Sequence, residues 1–148
     1  QCTGELLRAF GAQLSVYDPH IDPGTLPESI THCPTLPAAL AQAEIVSLHA
    51  SSPDTILGPS ELAQLSHGTI LLNSARGELV DEDALCTVLN SGRIAGAWFD
   101  AFPEEPYTGP LCGYEQVLLT PHTGTYTTQC RLDMETTAVE NLLRDLGL

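Results

Sequence analysis

Short apolar runs alternate with stretches of helical periodicity along most of the chain. Residues 13–17 (QLSVY) predict a brief strand ended by Asp18-Pro19, and residues 44–49 (EIVSLH) predict the next. Thr69–Asn73 (TILLN) predicts a buried strand, Ile94–Phe99 another and Val117–Leu119 a last short one. Between them lie helical segments at residues 36–43, capped by Thr35, and at residues 59–65. A third is opened by Asp81 and closed by Gly92, the residue type that a left-handed C-terminal cap favours. From Gly124 the chain enters an amphipathic helix, for which Met134, Val139, Leu142 and Leu143 are the expected core contacts. Residues 19–34 and 103–113, rich in Pro and Gly, read as loops. Strands that alternate with helices pair in parallel, because only a crossover returns the chain to the same edge. The expected fold is therefore α/β: one domain over residues 1–148, a doubly wound parallel sheet in three layers, αβα.

Composition narrows the class of partner. The 148 residues carry a formal net charge of -14, which repels nucleic acid and anionic membrane surfaces. No apolar run is long enough to cross a bilayer and no stretch reads as a secretory signal, so a cytoplasmic setting is expected. All five basic residues are Arg (Arg8, Arg76, Arg93, Arg131 and Arg144), so an anion site must draw on a small cationic supply. The five cysteines are scattered without the spacing of a zinc site or a redox CxxC; reduced thiols and no metal are expected.

In an open parallel sheet, ligands bind beyond the carboxyl ends of the strands. The polar residues there are Asp18, His49, residues 73–77, Asp100 and His122. Each alone has a structural explanation: Asp18 before Pro19 suits a turn, and His49 suits a hydrogen-bonded strand end. Asp81, Glu82 and Asp83 suit a helix N-terminus through the macrodipole.

Together these positions match more. Asn73-Ser74-Ala75-Arg76-Gly77 with Leu79-Val80-Asp81-Glu82, then residues 92–97 (GRIAGA) with 100–106 (DAFPEEP), then Thr120-Pro121-His122-Thr123-Gly124, occur in order and at matching separation. Over residues 6–143 the chain resembles the D-2-hydroxyacid dehydrogenases, the phosphoglycerate dehydrogenase-like family. The resemblance implies the NAD-binding, Rossmann-type domain of an NADH-dependent oxidoreductase that reversibly reduces a 2-oxo acid to a D-2-hydroxy acid. It implies catalytic roles for Arg76 on the substrate carboxylate, for His122 as proton donor to the carbonyl oxygen, and for Glu105 as the carboxylate that hydrogen-bonds His122 and raises its pKa. The chemistry suits these types: hydride addition builds negative charge on oxygen, and a planar guanidinium grips a carboxylate in a way Lys does not. Cofactor positions implied are Asp18 and Pro19 after the second strand, His49, Ser74, Ala75, Arg76, Asp100 near the nicotinamide, His122 and Gly124. An acidic residue at the ribose favours NAD over NADP. A homodimer is implied by the same analogy.

The resemblance begins just after the family's glycine fingerprint, so its first strand and phosphate loop, and its substrate-binding domain, are expected to lie outside this sequence. In the doubly wound order 3-2-1-4-5-6 that strand is central. The strands at residues 14–17 and 45–48 would each lose a neighbour, to be replaced by other residues, by a partner chain or by pairing with each other. Two classes of function stay open: a dehydrogenase, or a family remnant without hydride transfer that serves as a binding or assembly module or a cofactor-free enzyme.

Overall fold

The computed structural model describes residues 2–147. In chain order the elements are α1 (Cys2–Ala9), β1 (Leu14–Val16), β2 (Ile30–His32), α2 (Leu36–Leu40), β3 (Ile45–Leu48), α3 (Pro59–Gln64), β4 (Thr69–Asn73), α4 (Glu82–Asn90), β5 (Ile94–Phe99), β6 (Val117–Leu119) and α5 (Thr128–Asp145). Every strand pair is parallel, so the fold is the expected Rossmann-like α/β class.

Local chemistry sets the helix starts. The Thr35 hydroxyl accepts from the Ala38 amide at 3.3 Å, and the Asp81 carboxylate accepts from the Ala84 amide at 2.8 Å. At the start of α3 no cap side chain exists, and the Glu61 carboxylate reaches back to the Gly58 amide at 3.1 Å. Gly92, with φ at 70°, turns the chain out of α4 in a conformation that strains any residue with a Cβ.

The strands form two hydrogen-bonded groups, β1-β2 and β3-β4-β5-β6. In the doubly wound order, β2 and β1 are the third and second strands, and β3, β4 and β5 the fourth, fifth and sixth. The two groups thus correspond to the flanks of the central position. Pairing of β1 with β3, one of the expected ways to close that position, does not occur.

α2, α3 and α4 line up against one face of the four-stranded group. Leu62, Leu65, Leu71, Leu85 and Ile94 are buried there, with Phe99 beside them. Alternation along the strands puts Ile45, Ile70, Trp98 and Leu118 on the opposite face, and that face is open: Ile45 is 55% and Leu118 61% exposed.

Two expectations are corrected. The segment read as a loop at residues 19–34 contains β2 as well as a turn of 3-10 helix at Pro23–Thr25. Three residues between prolines show no periodicity, and β2 exists because its backbone pairs with β1 in register, Leu14 with Ile30 and Val16 with His32. The last helix starts at Thr128, capped by the Thr127 hydroxyl, and none of its residues is buried. Met134, Val139, Leu142 and Leu143 are 42–58% exposed, because α5 extends away from the core that α2–α4 build.

This contrast is testable by urea unfolding of the 148-residue chain. Leu85→Ala, at a fully buried position, is expected to lower stability by about 2–5 kcal/mol. Leu142→Ala on exposed α5 is expected to stay within about 0.5 kcal/mol of wild type. Equal losses would show that α5 packs against the core.

Candidate active site

Parallel pairing delivers the carboxyl ends of β4, β5 and β6 to one edge, and the loops that follow carry Arg76, Asp100, Glu105 and His122. The β4 loop is fixed by a buried side chain. The Asn73 carboxamide oxygen accepts from the Ala75 amide at 3.1 Å, and its amide group donates to the Arg76 carbonyl at 2.8 Å. Ser74 and the Arg76 side chain are left exposed, with Ala75 half-buried. Among the described residues the guanidinium's one hydrogen bond is to the Ala75 carbonyl at 2.7 Å, so most of its donors are free for an anion.

Asp100 organises the β5 and β6 ends. The residue is 3% exposed, and its carboxylate accepts from the Thr120 hydroxyl at 2.5 Å, the Thr123 amide at 3.0 Å and the Gly124 amide at 2.9 Å. The Thr120 hydroxyl in turn accepts from the Trp98 indole at 3.0 Å. Burial by itself would raise the Asp100 pKa. The Thr120 bond, the two amides and the charge of nearby His122 outweigh it and hold the group below the ordinary aspartate value.

His122 lies inside this clamped turn with φ at 52°, a left-handed conformation that costs a non-glycine residue about 1–3 kcal/mol. The Asp100 bonds on the next two amides, and the bond from His122 N–H to the Thr120 carbonyl at 2.9 Å, hold it there. The imidazole Nδ1 meets the Glu105 carboxylate at 2.9 and 3.2 Å. Both side chains are nearly half exposed, so the pair contributes orientation more than stability. Nδ1 so engaged leaves Nε2 for another partner.

The structure therefore brings His122 and Glu105 together, with Asp100 and Gly124 in the same turn. Arg76 stands on the neighbouring loop, whose Gly77 backbone packs against Phe102 and Pro103 so closely that a Cβ would overlap them. His49, exposed beyond β3, shares a 3.0 Å contact between Nε2 and the Ser47 hydroxyl. Asp18 and Pro19 follow β1, in the two-stranded group; Asp18 is exposed and accepts from the His20 amide at 2.9 Å. Among the described residues no cluster of three His, Cys, Asp or Glu could hold a metal ion, and no helix is long and apolar enough to cross a membrane.

Sequence reasoning missed Tyr107 and the second role of Glu82. Beyond its place at the helix start, Glu82 accepts a hydrogen bond from the Tyr107 phenol, a contact between residues 25 apart that periodicity does not signal.

A profile of the D-isomer specific 2-hydroxyacid dehydrogenases, for their NAD binding domain, matches residues 1–124. The chain belongs to this family. It is 35% identical over 135 residues to the D-3-phosphoglycerate dehydrogenase of Mycobacterium bovis, covering 88% of this chain and 26% of that protein. It is 33% identical over 147 residues to the hydroxypyruvate reductase of Blautia hydrogenotrophica, covering 96% and 45%. A crystal structure of a glyoxylate reductase from Paecilomyes thermophila superposes with a TM-score of 0.87 at 31% identity, over 94% of this chain and 43% of that one. The chain thus spans less than half the length of these relatives.

Asp100 gives a stability prediction. Its lowered pKa means that the bonds to its carboxylate contribute fully above about pH 4 and are lost as pH falls through the depressed value. Asp100→Asn turns an NH2 toward amides that need an acceptor, and is expected to destabilise by about 2–3 kcal/mol at neutral pH. The gap between variant and wild type should be flat from about pH 5 to 8 and close below about pH 4. Denaturant titrations across that range check it; a gap that persists in acid would contradict the assignment.

Proposed function

We propose that this protein catalyses the reversible, NADH-dependent reduction of a 2-oxo acid to a D-2-hydroxy acid. The observation that carries the reading is the Glu105–His122 contact through Nδ1, which leaves Nε2 as a proton donor at the sheet edge where Arg76 offers a free guanidinium. The cofactor of this domain family is NAD, whose reduced form, NADH, would supply the hydride when bound. His122 holds a proton at Nε2 and gives it to the carbonyl oxygen as negative charge develops there. Glu105 fixes the tautomer and the ring plane. Arg76 grips the substrate carboxylate, a task for which the acidic chain has few alternatives.

The residues suit the cofactor. Asp18 is an exposed carboxylate at a strand end whose one hydrogen bond among the described residues is to the His20 amide; it can accept from ribose hydroxyls and would repel a 2'-phosphate. Pro19, His49, Ser74, Ala75, Asp100 and Gly124 complete the proposed cofactor contacts. The three relatives named above are described by acids that share a 2-oxo or 2-hydroxy group and differ beyond it, which supports the substrate class. In this reading the chain is the NAD-binding domain, and groups that read the substrate's side chain come from another domain. Homodimer formation belongs to the same reading.

Assays of the native protein with a panel of 2-oxo acids and NADH test the function. His122→Asn is expected to lower kcat by about two to four orders of magnitude with the fold retained. Arg76→Lys is expected to raise KM for the acid, since the planar two-point grip is lost. Near-native turnover by His122→Asn would falsify the role given to His122. Cofactor choice is checked by titrating NAD and NADP side by side: tighter NAD binding is expected, and Asp18→Ala should narrow the difference. Equal affinities in wild type would remove Asp18 from the ribose.

A further inference from the structure

We propose that Tyr107 is a positioning residue, which fastens the loop after β5 to the first turn of α4 and thereby keeps the Glu105 carboxylate on His122 Nδ1. This rests on the reading of His122 as the proton donor. Residues 103–106 at the loop tip are all exposed, and two carboxylates, Glu104 and Glu105, stand side by side there. The stem below them is closed by the Phe102 and Tyr107 rings, which stack with centroids 4.4 Å apart and planes 20° apart. Closing the stem folds the Glu105 carboxylate back onto the Phe102 amide at 3.2 Å as well as onto His122.

Tyr107 is anchored at its far end. Its phenol donates to the Glu82 carboxylate and accepts from the Leu111 amide at 3.1 Å. Burial first, then the bond to Glu82, push the phenol pKa up, so it remains a donor at any working pH. Glu82 stands on α4, whose Ala84, Leu85, Val88 and Leu89 are buried, so the anchor is as firm as the core. The loop has little slack beneath it: the cavity among Gly77, Glu82, Phe102, Pro103 and Leu111 holds about 20 Å³, room for about one water. Gly109 leaves the space that the Tyr107 ring occupies, since a Cβ there would overlap the phenol.

Tyr107→Phe keeps the ring stack and removes both phenol bonds. In the 148-residue chain, the 15N resonance of His122 Nδ1 reports the contact directly, and Glu105→Gln sets the value for its loss. We expect Tyr107→Phe to move that resonance part of the way to the Glu105→Gln value, and Glu82→Ala to move it likewise. Glu82→Gln, which still accepts the phenol proton, should keep it near wild type. In the native protein Tyr107→Phe should lower kcat by about threefold to tenfold with KM for the acid unchanged, as expected for a misplaced proton donor. A His122 resonance unmoved in Tyr107→Phe, or in Glu82→Ala should the first variant fail to fold, overturns the proposal. A moved resonance in a protein that reduces no 2-oxo acid supports the positioning role and removes the proposed reaction.

Discussion

The hydrogen bonds that converge on the Asp100 carboxylate are what turn two adjacent strand ends into a site. Parallel pairing brings the ends of β5 and β6 side by side, but it leaves the loops beyond them free to follow their own sequences. A buried negative charge changes that, because it is tolerable only while hydroxyl and amide donors surround it. Asp100 takes them from Thr120, Thr123 and Gly124, all in the loop after β6. The turn that results holds His122 in a left-handed conformation that its own backbone would not choose. Strain in the His122 backbone and burial at the carboxylate are two sides of one arrangement, and each is tolerated because of the other.

A second constraint acts from the opposite side. Gly77 follows Arg76 where the Phe102–Pro103 backbone passes, and α4 holds the far stem of the Glu105 loop through Glu82 and Tyr107. The Arg76 and Glu105 loops are therefore packed against each other rather than set independently. A substitution at Gly77 would disturb the cation and the carboxylate together, although it carries neither. The geometry of the proposed acid thus depends on segments outside its own loop: the end of β4 with the start of α4, and the turn after β6.

Much of this was legible in the sequence because it is locally encoded. Thr35 and Asp81 announce caps by their type and place, Gly92 announces a left-handed turn, and the runs at β4 and β5 are long enough to declare buried strands. Arg76, Glu105 and His122 were readable as a set from motif order, and the His122–Glu105 contact is the pairing that set implies. What was not legible depends on partners. β2 is three residues whose only argument for being a strand is β1 beside them. The apolar stripe of α5 says that one side seeks cover without saying where cover lies, and the core forms without it. The Tyr107–Glu82 bond joins a loop to a helix across 25 residues, with no period to reveal it.

The Asp100 turn has a consequence for which changes of sequence it can absorb. Two of the donors that hold the carboxylate are main-chain amides, of Thr123 and Gly124, and a new side chain at residue 123 leaves its amide in place. Thr120 has no such insulation, because its hydroxyl donates to Asp100 and accepts from the Trp98 indole. The shape of the loop after β6 is thus written mostly in backbone, with one hydroxyl as its point of vulnerability.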